Sequence, residues 1–253
     1  MATVLVSNDD GIDAPGLIAL AEGLAAAGHD VFVSAPERER SAAGHALTLH
    51  KPVRAKLVRP QWWAVSGSPA DCVYMGLHSL MGKTPDVVVS GVNRGSNVGM
   101  DVLYSGTVAA AMEGCLHGVP GLAVSLRVDR GQPRAHWDTA VAVAARAVDE
   151  VLARGLPEGT ILNINVPDVP LDALRGMRAA ALGIRRYTTQ VVARKDPRGR
   201  PYYWIGGEHL RFEPIAGTDG PLLADHWATV TPLAADLTRH DLLAGVADWT
   251  DEG

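Results

Sequence analysis

The sequence predicts an α/β protein with a Rossmann-like, doubly wound, mostly parallel sheet in a three-layer αβα arrangement. Three observations predict it. Short β-branched apolar runs recur along the chain, helical stretches with start and stop signals separate them, and polar clusters follow the runs. Alternation of this kind builds a parallel sheet with helices on both faces.

The runs are Val4 to Ser7, Val31 to Ala35, Val87 to Gly91, Leu122 to Ser125 and Ile161 to Val166. They are continuous rather than alternating in polarity, as strands buried on both faces should be. The first helix, "DAPGLIALAEGLAAAGHD", reads with Asp13 as N-cap and Gly28 as stop. "SPADCVYMGLHSLMG" carries Ser68 at the cap, Pro69 in the first turn and Asp71 three residues on, a short capping box. "SGTVAAAMEGCLHG" starts at Ser105 and stops at Gly118, and "AHWDTAVAVAARAVDEVLARG" is a long amphipathic helix ending near Gly155. After about Gly183 the pattern changes. Tyr187 to Ala193 and Pro201 to Ile205, joined by "KDPRGR", read as a protruding hairpin, and "ATVTPLAADLTRHDLL" as a last strand and a short helix. The expected organisation is one domain over 1–253, with a core of about 1–183, a hairpin of about 186–206 and a C-terminal oligomerisation extension of about 228–253.

Composition excludes several classes. A chain of 253 residues, 47% hydrophobic, can bury a sizeable core without staples. Its formal charge of -5 is too mild to recruit nucleic acid or a membrane through bulk electrostatics, so neither partner is expected. Cys72 and Cys115 sit in apolar helical contexts and read as reduced. No run approaches the roughly 18 apolar residues of a membrane span, and no signal peptide precedes the first strand, so the expected location is the cytoplasm.

The chemistry gathers where strands end. "VLVSNDDGID" leaves the first strand with Asn8, Asp9 and Asp10, two adjacent carboxylates that repel unless a cation lies between them or water screens them. "APERERSAAGH" follows the second strand with Ser41 and His45, and "GVNRGSNVG" follows the third with Asn93 and Asn97. Carboxylate, hydroxyl and amide oxygens make a hard donor set suited to Mg²⁺ or Mn²⁺. "YSGT" then opens a helix, whose free N–H groups and partial positive charge suit a phosphate, with Ser105, Gly106 and Thr107 as its contacts. An ordinary Ser N-cap gives the same pattern. His45 is either a general acid or a surface residue. The charged run Glu37 to Arg40 reads as a solvated loop. The basic set from Arg185 to Arg200 contacts a polyanion or protects a hairpin edge.

"VLVSNDDGIDAPGL", "VVVSGVNRGSNVGMDVLYSGTVAAAMEG", "SGSPADCV", "ILNINVP" and "VTPLAADLT" together resemble the SurE family, the stationary-phase survival proteins, over nearly the whole chain and in order. The resemblance implies a divalent-metal-dependent phosphatase of nucleoside 5′-monophosphates, sometimes also of 3′-nucleotides and short polyphosphate. It implies one Mg²⁺ or Mn²⁺ per subunit and a homodimer or homotetramer, with the segment near Leu242 exchanged between partners. It assigns metal ligation to Asp9, Asp10, Ser41 and Asn93, and the phosphate side to Asn97, Ser105, Gly106 and Thr107, beside Asn8. The corresponding mechanism is attack by a metal-activated water, with Asp9 as the base that orients it. A carboxylate nucleophile of the haloacid-dehalogenase kind needs Asp-x-Asp, and here the spacing reads Asn8-x-Asp10. Two other classes remain as alternatives: a non-catalytic metal- and nucleotide-binding protein, and a receiver-like signalling module. The latter requires a phosphoacceptor Asp after its third strand, which "VVVSGVNRG" lacks.

Overall fold

The computed structural model describes residues 1–128, 135–188, 190–206 and 209–247. Along the chain lie β1 (Thr3–Ser7), α1 (Pro15–Ala26), β2 (Asp30–Pro36), β3 (Ala55–Arg59), β4 (Trp62–Val65), α2 (Pro69–Met75), β5 (Val87–Arg94), α3 (Gly106–Leu116), β6 (Gly121–Arg127), α4 (Trp137–Arg154) and β7 (Thr160–Pro167). After them come β8 (Met177–Ala179), β9 (Arg185–Tyr187), β10 (Gln190–Lys195), β11 (Pro201–Gly206), β12 (His209–Phe212), α5 (Asp219–Ala224), β13 (Ala228–Ala234) and α6 (Leu243–Ala247).

Nine strands form one sheet in the order β3-β4-β2-β1-β5-β6-β7-β13-β8. From β4 to β7 every neighbouring pair is parallel, while β3 runs against β4 and β13 against β7. The order reverses between β1 and β5, which makes their carboxyl ends the switch point of an open α/β sheet. All five strands expected from apolar runs are present. The edge pair β3–β4 was not among the expected strands: Trp62 and Trp63 continue the sheet beside Val33 and Ser34.

The two faces are covered unequally. Leu17, Leu20 and Leu24 of α1 and Ala140, Val143, Ala147 and Val151 of α4 join the largest apolar cluster on one face. Two smaller clusters take Val73 of α2 and Val108, Ala110 and Ala111 of α3 on the other. The first helix starts one residue later than expected: Ala14 is its N-cap, Pro15 its first residue, and Asp13 stands outside. Gly16 explains the fit of that helix, because a Cβ there would lie 2.1 Å from the carbonyl oxygen of Val92. The expected capping box does form. Ser68 accepts from the Asp71 N–H at 3.0 Å, and the Asp71 carboxylate takes the Ser68 N–H at 2.7 Å. The same carboxylate receives the backbone N–H and hydroxyl of Thr48, so α2 anchors the loop that leaves β2.

The late hairpin pairs β10 with β11, Val192 opposite Trp204. A second short pair, β12 with β9, forms its base. The stretch from residue 228, expected as an extension, opens with a strand of the central sheet, because β13 lies between β7 and β8. Its last six residues, 248–253, lie outside the described residues. Among those described, no helix is long and apolar enough to cross a membrane.

Candidate active site at the switch point

The exits of β1, β2 and β5 are stitched together by backbone hydrogen bonds. The Arg40 N–H donates to the Asp9 carbonyl at 2.7 Å, the Ile12 N–H to the Pro36 carbonyl at 2.8 Å, and the Arg94 N–H to the Asp10 carboxylate at 3.0 Å. Gly11 permits this approach with φ of 104°, its Cα facing the backbone of Arg38 and Glu39. Asn8 is the clamp of the turn: its side-chain amide donates to the Gly11 carbonyl at 3.0 Å and accepts the Gly11 N–H at 3.2 Å. Expected at the substrate, Asn8 spends its side chain on shaping the turn instead.

These exits border a cleft of about 1130 Å³ that collects Asp9, Asp10, Ser41, Asn93, Asn97 and Ser105. Asp9 is buried. Burial pushes its carboxyl up to about 6 against the pull of the Thr107 hydroxyl, and the charge of Asp10 adds to the rise. Asp10 is raised too, first by burial and then by Glu39, while the N–H and the charge of Arg94 pull it down. Two adjacent carboxylates therefore lie in a partly dry cleft at a cost in electrostatic energy.

The start of α3 is occupied by protein. The Thr107 hydroxyl, fully buried, donates to Asp9 Oδ1 at 2.5 Å, and its backbone N–H also favours the charged form of Asp9. An ideal Cβ on Gly106 would lie 2.8 Å from the Asp9 Cβ and 3.0 Å from Oδ2. The helix N-terminus, expected to hold phosphate, is thus first the counter-charge of Asp9. Ser105 caps the helix by accepting from the Val108 N–H at 3.1 Å, which leaves its own proton for a ligand in the cleft. Gly106→Ala should push the start of α3 away from Asp9, whose Cβ is fixed to its backbone and cannot rotate clear, and so displace the Asp9 carboxylate. A loss of roughly 10- to 100-fold in turnover is expected together with a lowered melting temperature, read by kinetics beside a thermal melt.

Asn97 is seated by three polar residues that the sequence reading did not single out. Its backbone N–H goes to Asn165 Oδ1 at 2.8 Å and its side-chain amide to the Ser125 hydroxyl at 2.9 Å. Its carbonyl accepts from the amides of Asn163 and Asn165. Two asparagines alternating along a buried strand were the signal available, because an unpaired buried amide is costly. Asp219, nearly fully buried, takes the Gly99 N–H at 2.7 Å and the Gly183 N–H at 2.8 Å, and so fixes the far end of the same loop.

His45 does not join the carboxylates. Its Nε2 meets Glu113 in the third turn of α3 at 2.6 Å, and the ring lines a separate apolar cavity of about 990 Å³ that shares only Ser105 with the cleft. That cavity is the drier of the two and holds none of the acid pair, so the chemistry is assigned to the cleft. The hairpin borders the cleft through Val191 and Ile205, and Tyr187 donates its hydroxyl to Asp101 at 2.5 Å.

The residues present fit a hard divalent cation. Among the described residues, the positive charge shown acting on the acid pair is that of Arg94 on Asp10, and burial still raises both carboxyls. Asn93 donates its amide N–H to the Gly95 carbonyl at 2.7 Å, which leaves Oδ1 as the coordinating end. Ser41 donates to Glu39 at 2.6 Å and keeps its oxygen lone pairs. The set is all oxygen, the type that Mg²⁺ and Mn²⁺ prefer.

Comparison with known proteins finds relatives along nearly the whole chain. The family model for the survival protein SurE matches residues 4–189. Proteins named 5′-nucleotidase SurE from Geobacter metallireducens and Geobacter sulfurreducens are 51% and 49% identical. Each alignment covers 97% of this chain, and 96% and 93% of the respective relative. The crystal structure of the SurE protein from Aquifex aeolicus superposes with a TM-score of 0.85 at 37% identity, over 98% of this chain and 99% of that one.

Proposed function

The chain belongs to the SurE family, and from that premise we propose that it is a divalent-metal-dependent phosphatase of nucleoside 5′-monophosphates. The observation that carries this reading is the adjacent carboxylate pair of buried Asp9 and part-buried Asp10, sharing one cleft with the capped start of α3 and the Asn97 loop. Asp9, Asp10, Ser41 and Asn93 would hold the ion. When bound, such an ion supplies positive charge to phosphoryl oxygens and makes water more acidic.

The chain's own residues do the rest. Thr107 holds Asp9 in one orientation and keeps a share of its charge on Oδ1. The other oxygen, Oδ2, accepts a proton from the attacking water and aligns it. Ser105 donates its hydroxyl proton to an equatorial phosphoryl oxygen. Asn97, held rigid by Asn163 and Asn165, fixes the far wall of the phosphate site. Positioning and electrostatics of this kind are what phosphoryl transfer requires. Phosphate release from AMP should appear with Mn²⁺ and disappear with a chelator. Turnover that resists chelation refutes the metal dependence, and tight nucleotide binding without turnover supports the non-catalytic alternative.

The hairpin supports self-association. Val191, Tyr203, Trp204 and Ile205 are 61%, 62%, 67% and 90% exposed, too much apolar surface for a two-stranded ribbon to leave in water. A second copy of the chain is the proposed cover, giving a homodimer or a homotetramer. Replacing Arg194 to Tyr203 with a short Gly-Ser link should lower the oligomer order in light scattering while Mn²⁺ affinity stays. An unchanged oligomer in that variant rejects the hairpin as the contact.

A further inference from the structure

Away from the acid pair, α2 and α3 bring imidazoles and a carboxylate into one line. Glu113 is 3% exposed. One of its oxygens holds His45 Nε2 at 2.6 Å, and the other faces His117 Nε2 at 3.1 Å. The opposite nitrogen of His117, Nδ1, faces His78 Nε2 at 3.1 Å. Tyr74 packs on both rings, with centroids 4.6 Å from His78 and 5.3 Å from His117.

The tautomer of His117 follows from its partner. An ionised carboxylate only accepts, so a neutral His117 carries its proton on Nε2 and presents a lone pair at Nδ1. His78, half out in solvent, is free to place its own proton on Nδ1 and present Nε2. The two lone pairs then converge. In a straight N–H···N bond of this length the ring centres would stand beyond about 5 Å, yet they are 4.5 Å apart at an interplanar angle of 73°. The contact is bent, as two donors to one ion are. With metal–nitrogen bonds of about 2.0–2.1 Å, nitrogens 3.1 Å apart subtend about 98° at the ion, between octahedral and tetrahedral values.

We propose that His78 and His117 together bind one borderline transition-metal ion of the Zn²⁺, Ni²⁺ or Cu²⁺ class, at a site separate from the oxygen-lined cleft. Imidazole suits these ions and not Mg²⁺. Glu113 supplies the carboxylate behind a ligating imidazole, which fixes the ring's tautomer and orientation. His78 lies in the single π turn Gly76–Leu80 that continues α2, an irregularity that rotates a side chain off the regular helical face and recurs at functional sites. Among the described residues no three His, Cys, Asp or Glu side chains form a ready cage, so the site has two protein donors and leaves its other positions to water. Because Glu113 also holds His45, an ion here would stiffen the loop that leaves β2 beside the cleft.

The test is calorimetry of the full chain with Zn²⁺ as probe, in saturating Mg²⁺ so that the oxygen site is filled. One Zn²⁺ per chain is expected. His78→Ala and His117→Ala should each weaken it by at least about tenfold, Glu113→Gln by roughly 10- to 100-fold, and Asp10→Asn should leave it unchanged. Near-ultraviolet circular dichroism checks each fold; His78 is exposed, so its variant carries the test even where the others destabilise. Three results overturn the proposal: no Zn²⁺ uptake above the Mg²⁺ background, wild-type affinity in His78→Ala, or a loss confined to Asp10→Asn.

Discussion

Asp10→Asn is expected to cut metal-dependent phosphate release by roughly a hundredfold or more, since a direct ligand should matter at least as much as the partners behind it. The fold should survive. Asn keeps an oxygen to accept the Arg94 N–H that Asp10 now takes at 3.0 Å, and it removes a carboxylate whose ionisation is opposed by burial and by Glu39. The melting temperature of the metal-free variant should therefore equal or exceed that of the parent, while Mn²⁺ affinity falls in calorimetry. Unchanged Mn²⁺ affinity would sink the ligand assignment even if activity were lost.

Thr107→Val should lower kcat by roughly 10- to 1000-fold, the range set by loss of one donor to a reacting group. Two roles for the hydroxyl give different companions to that loss. A direct phosphoryl contact leaves metal affinity untouched. The geometry favours the other role: the hydroxyl is committed to Asp9 Oδ1 at 2.5 Å in a fully buried position. Without it, Asp9 loses a bond that lowers its pKa, and burial then raises the carboxyl beyond about 6. A carboxyl raised above its unfolded value binds extra protons in the folded state. The deficit should then widen as pH falls toward 6 and shrink above it, with Mn²⁺ affinity following the same course. A kcat loss that is flat with pH, at wild-type Mn²⁺ affinity, would return Thr107 to the phosphate side.

The strand exits were legible because each ends a β-branched run, and the periodicity that marks a buried strand also marks where it stops. Ser105 and the Ser68–Asp71 box were legible because capping chemistry is local, satisfied within three residues. Asp13 misled for the same reason: its type suits a cap, but Pro15 needs only an extended residue before it, and Ala14 supplies that. What stayed hidden is long-range. Asn163 and Asn165 sit 66 and 68 residues from the Asn97 they hold, and no local rule pairs them. His45 was open between two roles because its partner, Glu113, lies 68 residues on. The Trp62–Trp63 strand was missed because its four residues, only half-buried except at Val65, are too short to mark a strand by period, and its outer neighbour β3 is exposed along most of its length.

The placement of β13 has a consequence for how the protein is made. Synthesis delivers the chain from the N-terminus, and folding follows that order where contacts permit. Asp9, Asp10, Ser41 and Asn93 emerge early, and their strands can pair at once. The loop carrying Asn97, however, is pinned at Gly99 by Asp219, 120 residues downstream. β8 must wait longer, because the strand that joins it to the sheet, β13, is translated after it. A nascent chain halted before residue 219 thus owns both carboxylates but lacks the Asp219 anchor of the Asn97 loop. The Asn97 loop is therefore fully anchored only once Asp219 has left the ribosome, well after the carboxylates it faces.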